Sequence, residues 1–168
     1  MYTMDSILFF SRSKTDVGKF LSNFHTSHIS HHDTTFNSVE NAFQASKYLL
    51  SNKPEYFYHL AQMSPSEART MGSKGGMKKV GAKLDIEVWE RTKYAIMKKL
   101  ILQRYFKDTK FNQELSKLNN AGIQLYHFER SGEKSYWGGY FCKKDNIFKG
   151  QNVLGNMLMG IRELSVLI

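Results

Sequence analysis

The apolar residues of this chain change their period part-way along it, and the change limits what the chain can fold into. From Val39 to Leu118 they recur at helical spacing. Beyond that, Ile123, Leu125 and His127 alternate with Gln124, Tyr126 and Phe128, a period of two that belongs to a strand. Arg130-Ser131-Gly132-Glu133-Lys134 supplies a turn, and Tyr136-Trp137-Gly138-Gly139-Tyr140-Phe141 reads as the returning strand. Helices followed by a hairpin give an α+β fold, mostly α-helical with a small antiparallel β-sheet. The 168 residues suit one domain over 1–168, with no linker or internal repeat to divide it.

The helices carry punctuation. Asn37 can cap a helix with Glu40 three residues later, the pattern of a capping box. In that helix Val39, Ala42, Phe43, Ser46, Leu49 and Leu50 form one stripe, which should face the core. Glu40, Gln44 and Lys47 fall together along the border of the stripe, the natural place for the wall of a cleft. Pro54 opens another helix, through Leu60 and Met63. Ser64-Pro65-Ser66-Glu67 is a full capping box with proline in its first turn, and Gly72 marks the stop. Residues 73–84, with Lys74, Lys78, Lys79 and Lys83, read as a basic connection.

The longest helix runs from Asp85 to Tyr105. Its apolar residues leave few exposed sectors, so it is expected to be the central, heavily covered one. A shorter helix spans Asn112 to Leu118, and Asn152 caps a last one through Leu158, Ile161 and Leu164. At the other end, Ile7-Leu8-Phe9-Phe10 reads as a short buried strand. A loop with Gly18 and Leu21-Ser22-Asn23-Phe24 follows it, then a polar, histidine-rich turn from His25 to Asp33.

Composition narrows the function classes. The one cysteine, Cys142, excludes an internal disulfide and a cysteine-based metal framework, and fits a reducing cytoplasm. Met1–Ser6 has neither a basic start nor a long apolar run, so no leader is read there. No stretch approaches the ~20 apolar residues of a membrane helix, which excludes a membrane partner and leaves a cytoplasmic protein as the expectation. A net charge of +9 favours a polyanionic or phosphate-bearing partner over a neutral one. P-loop, G-x-G-x-x-G, H-E-x-x-H and G-x-S-x-G patterns are all missing from the sequence. His28, His31, His32 and Asp33 lie in a polar turn with no cysteine to assist them, and read as a solvated loop.

Several short motifs occur together. Leu21-Ser22-Asn23-Phe24, the segment Ser38–Lys47, Trp89 with Lys93 and Met97, Tyr136-Trp137-Gly138, and Gly150-Gln151-Asn152-Val153-Leu154-Gly155 follow one another and end at Ile161-Arg162. Their order and spacing resemble the NADAR (YbiA-like) family, from Phe9 to Arg162. The resemblance implies a mostly helical α+β fold that binds ribose-phosphate molecules and has N-glycosidase activity. Family members act on phosphorylated riboflavin intermediates or on ADP-ribosylated guanine in nucleic acid, and occur in bacteria and bacteriophages. The implied partner is therefore a ribose-phosphate small molecule or an ADP-ribosylated nucleic acid. The implied reaction needs no metal or other cofactor.

Breaking a C1′–N bond builds positive charge on the ribose, so a carboxylate beside C1′ stabilises the transition state. Glu40 is the candidate, with a capping role as the alternative. Gln44 and Lys47 share its side and can hold ribose hydroxyls or phosphate, and Lys93 offers a further cation. Trp89 and Trp137 are the only tryptophans, each suited to stacking on a base. Core packing is the competing role for Trp89. Gly138 beside Trp137 allows close approach of a ligand, and Asn23 and Phe24 are further lining candidates. Asn152 opens a helix whose N-terminus can either meet a phosphate or be simply capped.

Two positions depart from the family. Many relatives have an acid three residues before the Trp-Gly pair, where this chain has Lys134, so Glu133 is the candidate second carboxylate. Many also have Glu where this chain has His127, which becomes a candidate proton donor to the leaving base. A non-catalytic binder of ADP-ribose or ADP-ribosylated nucleic acid is the alternative function.

Overall fold

Along the chain, the elements are β1 (Ser6–Phe9), α1 (Asp16–Phe20), β2 (Ile29–His31), β3 (Thr34–Phe36), α2 (Val39–Leu49), α3 (Tyr56–His59), α4 (Pro65–Met71), α5 (Lys74–Lys79), α6 (Ile86–Lys107), α7 (Thr109–Asn120), β4 (Gln124–His127), β5 (Gly139–Cys142), β6 (Ile147–Gly150) and α8 (Val153–Arg162). Short 3-10 turns cover Gly132–Lys134 and Glu163–Val166. These come from a computed structural model that describes residues 5–166, so residues 1–4 of the stretch read for a leader lie outside the described residues. The fold is α+β and mostly helical, as the change of period implies. Among the described residues, no helix is long and apolar enough to cross a membrane. The chain divides into two compact units, residues 23–107 and the flanking segments up to 22 and from 108.

In the unit of residues 23–107, α2 is the covered helix. Every residue from Val39 to Ser46 is buried, as is Tyr48, and α2 packs against α3, α4 and α6. The sequence marked α6 for this position. α6 instead buries one line, Trp89, Met97, Leu100, Ile101, Arg104 and Tyr105, while Ile86, Tyr94 and Phe106 are exposed. A polar helix can be central because its polar groups find partners inside. Asn41 Nδ2 donates to the carbonyls of Leu60 (2.8 Å) and Met63 (2.7 Å), and Ser46 Oγ donates to Ala42 (2.8 Å). The capping box at Ser64 and Glu67 forms as expected. The basic connection is not a plain loop, because Ser73 caps the short helix α5 there.

The histidine-rich segment is also ordered. β2 and β3 pair antiparallel across His32 and Asp33, both at positive φ (44° and 57°), the geometry that a two-residue hairpin turn requires. His31 is buried against Phe36 and Phe57, not solvated. Its Nε2 lies 2.9 Å from Ser46 Oγ, whose proton goes to Ala42, so the ring nitrogen donates. Burial, then the neighbouring His32 and Lys99, lower the His31 pKa to about 4. The unfolded chain takes up this proton near pH 6.5 and the folded chain does not, so folding stability falls as pH drops from about 6.5 to about 4. We expect a loss of up to ~3 kcal/mol over that window. Urea titrations at several pH values should show this slope in the wild type and a flatter one in His31→Phe.

In the other unit, the period-two segment is a strand, as expected, but its partner differs. β4 pairs in parallel with β1, Leu125 opposite Ile7 and His127 opposite Phe9. The returning strand β5 pairs instead with β6, antiparallel, and joins β4 only through a bridge between Phe128 and Gly139. α8 packs on β4 and on α7, and α1 on β1.

Candidate active site

Ser38, not Asn37, caps α2. Its backbone is extended (φ −159°, ψ 166°), and its Oγ accepts from Asn41 N at 3.1 Å. Glu40 therefore sits in the first turn without serving as the capping acid. Its backbone N–H donates to the Asn23 carbonyl at 3.0 Å, which ties Asn23 to the start of α2. The Glu40 side chain is buried, and its Oε1 accepts from Gln44 Nε2 at 2.9 Å, one helical turn on. Gln44 packs against Gly72 so closely that a Cβ there would overlap it.

Lys47 completes the row. Its Nζ donates to the Gly72 carbonyl at 2.7 Å and lies 5.4 Å from the centre of the Trp89 ring, which packs on Phe43. Burial lowers the Lys47 pKa to about 8, opposed by Glu40 and reinforced by Arg69 and Lys93. These causes place a carboxylate and three cations in one electrostatic group. Lys93 Nζ also pairs with Glu90 Oε2 at 2.5 Å. Arg69, which the sequence reading passed over, lies 5.8 Å from the Phe24 ring. Its signal was its place on α4, two residues after the capping-box glutamate and three before Gly72. Asn23 is buried, with its amide 3.3 Å from Met97 Sδ. Asn23, Phe24, Glu40, Gln44, Lys47, Trp89 and Lys93 thus belong to one unit.

The remaining candidates belong to the other unit. His127 Nδ1 donates to the Phe9 carbonyl at 3.0 Å, since a carbonyl only accepts, and Nε2 lies 3.8 Å from Glu129 Oε1. Glu129, also passed over in the sequence, accepts from Ser135 Oγ at 2.5 Å, and Ser135 Oγ in turn accepts from Gly138 N at 2.9 Å. It lies two residues after His127, within the segment that precedes the Trp-Gly pair. Glu133 is exposed on its 3-10 turn, 3.5 Å from Lys149. Trp137 is half-buried, its ring edge-on to Tyr136. The space a Cβ would take at Gly138 is filled by the His127 backbone and ring.

The start of α8 is also occupied. The N–H groups of Gln151, Asn152, Val153 and Leu154 donate to the carbonyls of Ser135, Gly138, Tyr136 and Trp137. A phosphate at this start would have to displace these carbonyls, because Asn152, Val153 and Leu154, three of the usual orphan donors of a helix start, already have protein partners. The Asn152 side chain does not cap the helix. Its Oδ1 accepts from His127 N and its Nδ2 donates to the Leu125 carbonyl, both at 2.9 Å.

The chain matches the NADAR domain family over residues 9–164. It belongs to that family. The NMR structure of the E. coli protein YbiA is similar, with a TM-score of 0.71 and 26% identity, covering 98% of this chain and 88% of that one. No curated protein matches the chain. The family is one of N-glycosidase-like proteins. Its motifs divide by role in this structure. Tyr136-Trp137-Gly138 and Gly150–Gly155 are joined backbone to backbone, and Arg162 Nη1 donates to the Ile123 carbonyl at 2.5 Å at the head of β4. Ser38–Lys47 and Trp89 gather the charged and aromatic side chains.

Proposed function

We propose that the protein hydrolyses a ribose–base N-glycosidic bond in an ADP-ribosyl or related ribose-phosphate substrate, with Glu40 as the carboxylate at C1′. The observation that carries this reading is Glu40 itself: buried, relieved of capping by Ser38, aimed by Gln44 and grouped with Lys47, Arg69 and Lys93. As the C1′–N bond breaks, its electron pair leaves on the base nitrogen and positive charge grows on the ribose. A fixed anion stabilises that charge. Water then bonds to C1′ and gives its proton to the carboxylate. The cations suit the phosphates of the same substrate, and Trp89 gives the group an aromatic wall. ADP-ribosylated guanine in nucleic acid and phosphorylated riboflavin intermediates are the substrates to try.

A non-catalytic ADP-ribose binder is the second reading. It is favoured by Lys134 at the family's acidic position and by the exposure of Glu133 beside Lys149. Incubation of wild type with ADP-ribosylated oligonucleotide, NAD and phosphorylated riboflavin intermediates, with free base followed by chromatography, separates the two. Base release supports the enzyme; binding without release on every substrate overturns it. On the substrate that is cleaved, kcat/KM should fall as pH rises through about 8, where Lys47 loses its charge in the free enzyme. Lys47→Met should remove that alkaline limb.

A further inference from the structure

From Arg69 to Lys83 the chain carries five cations, Arg69, Lys74, Lys78, Lys79 and Lys83, and no carboxylate. All five are exposed, and none belongs to an ion pair among the described residues. They are presented by a fixed element. Ser73 Oγ accepts from Gly76 N at 3.0 Å, Met77 is buried, and Gly76 lies so close to the Thr70 and Met71 carbonyls that no Cβ fits. After α5, Asn52 Oδ1 accepts from Lys83 N at 2.6 Å. The segment starts at the candidate site, where Gly72 packs on Gln44 and accepts from Lys47.

We infer that Arg69–Lys83 is a docking surface for the phosphodiester backbone of single-stranded nucleic acid. The inference rests on the proposed function for its choice of a base-bearing strand. α5 alone spans about 9 Å at ~1.5 Å per residue, so its three lysines can face more than one phosphate of the strand. Five fixed positive charges without an interspersed acid complement such a repeat. A single strand fits better than a duplex, because a base that must reach a buried carboxylate has to leave its stack.

The test is fluorescence anisotropy with a fluorescein-labelled oligothymidylate, from about 50 to about 200 mM salt. It compares Glu40→Gln alone with Glu40→Gln carrying Lys74→Ala, Lys78→Ala, Lys79→Ala and Lys83→Ala. The four substitutions should weaken binding at least ~10-fold and reduce the salt slope by up to about 3, at ~0.7 for each phosphate that is no longer neutralised. Thermal melting checks the fold, and Lys78→Glu with Lys79→Glu takes over if the fourfold variant does not melt cooperatively. Equal affinity with and without the lysines overturns the inference. So does binding to phosphatidylserine vesicles as tight as to the oligonucleotide and equally dependent on the lysines. Catalysis plays no part in this readout, so failure to release base from any substrate would overturn the proposed function and leave the docking result standing.

Discussion

Glu40→Gln should lower kcat by ~10²–10⁴-fold while leaving the fold intact. The two side chains have the same shape, and the amide oxygen of glutamine can still accept from Gln44 Nε2 where Glu40 Oε1 does. Ser38 keeps the cap, so α2 loses only the favourable placement of a negative charge in its first turn, ~0.3–1 kcal/mol. The negative charge itself disappears, and with it the stabilisation of the developing positive ribose. A second signature follows from Lys47. Glu40 raises the Lys47 pKa against the effect of burial, so Glu40→Gln should move the alkaline limb of residual activity to lower pH. Kinetics with purified protein, supported by thermal melting, measure both effects. Equal turnover by wild type and variant would remove Glu40 from the mechanism.

The helices and the line of site residues on α2 were readable because they follow local rules. Ser64, Glu67 and Gly72 announce α4, and Glu40, Gln44 and Lys47 fall on one side of α2 by simple helical geometry. The burial of α2 was not readable. Ser46 was expected on the core face, but Asn41 looks solvated in a sequence and Gln44 looks half-covered, and only their distant partners, Leu60, Met63 and Gly72, make them interior residues. α6 misled in the opposite direction, since Val88, Ala95, Ile96 and Leu102, which filled out an apparent apolar surround, are half-buried or exposed. The cap of α2 was missed by one position, because Asn37 and Ser38 are both good caps and only the extended backbone at Ser38 distinguishes them.

Strand pairing escaped for a different reason. A period of two identifies β4 as a strand, but its partner β1 lies more than a hundred residues away, and the intervening turn made a local hairpin look complete. β6 is only four residues long, behind a charged turn with Asn146 at φ 53°, so it carried almost no periodic signal. Arg69 joins the site through α4, and Glu129 approaches His127 through the path taken after β4. Spacing along the chain places each residue beside its motif but does not show which charged groups it meets in space.

The largest stability effect is expected at Asn152. Its carboxamide receives the His127 N–H and donates to the Leu125 carbonyl, so it acts as one peptide group of an added strand along β4. Asn152→Ala would leave both backbone groups without these partners, at ~1–3 kcal/mol each. Alanine would also have to hold φ 51°, a left-handed conformation that asparagine tolerates and alanine resists by ~1 kcal/mol or more. The sum is a loss of about 3–7 kcal/mol, a large part of the ~5–15 kcal/mol that holds a typical domain together. Asn152→Gly separates the two contributions: it removes the carboxamide but accepts the backbone angle, so it should be about 1 kcal/mol more stable than Asn152→Ala. Urea denaturation midpoints at constant m-value measure this. If both variants stayed within ~1 kcal/mol of wild type while losing affinity for ribose-phosphate ligands, Asn152 would be a recognition residue and the strand-like role would fail. Gly155 supports the strand-like role, because a Cβ there would overlap the Leu125 carbonyl and the Asn152 amide. Asn152 and Gly155 together let α8 lie directly on β4, which accounts physically for the asparagine and the second glycine of the Gly150–Gly155 motif.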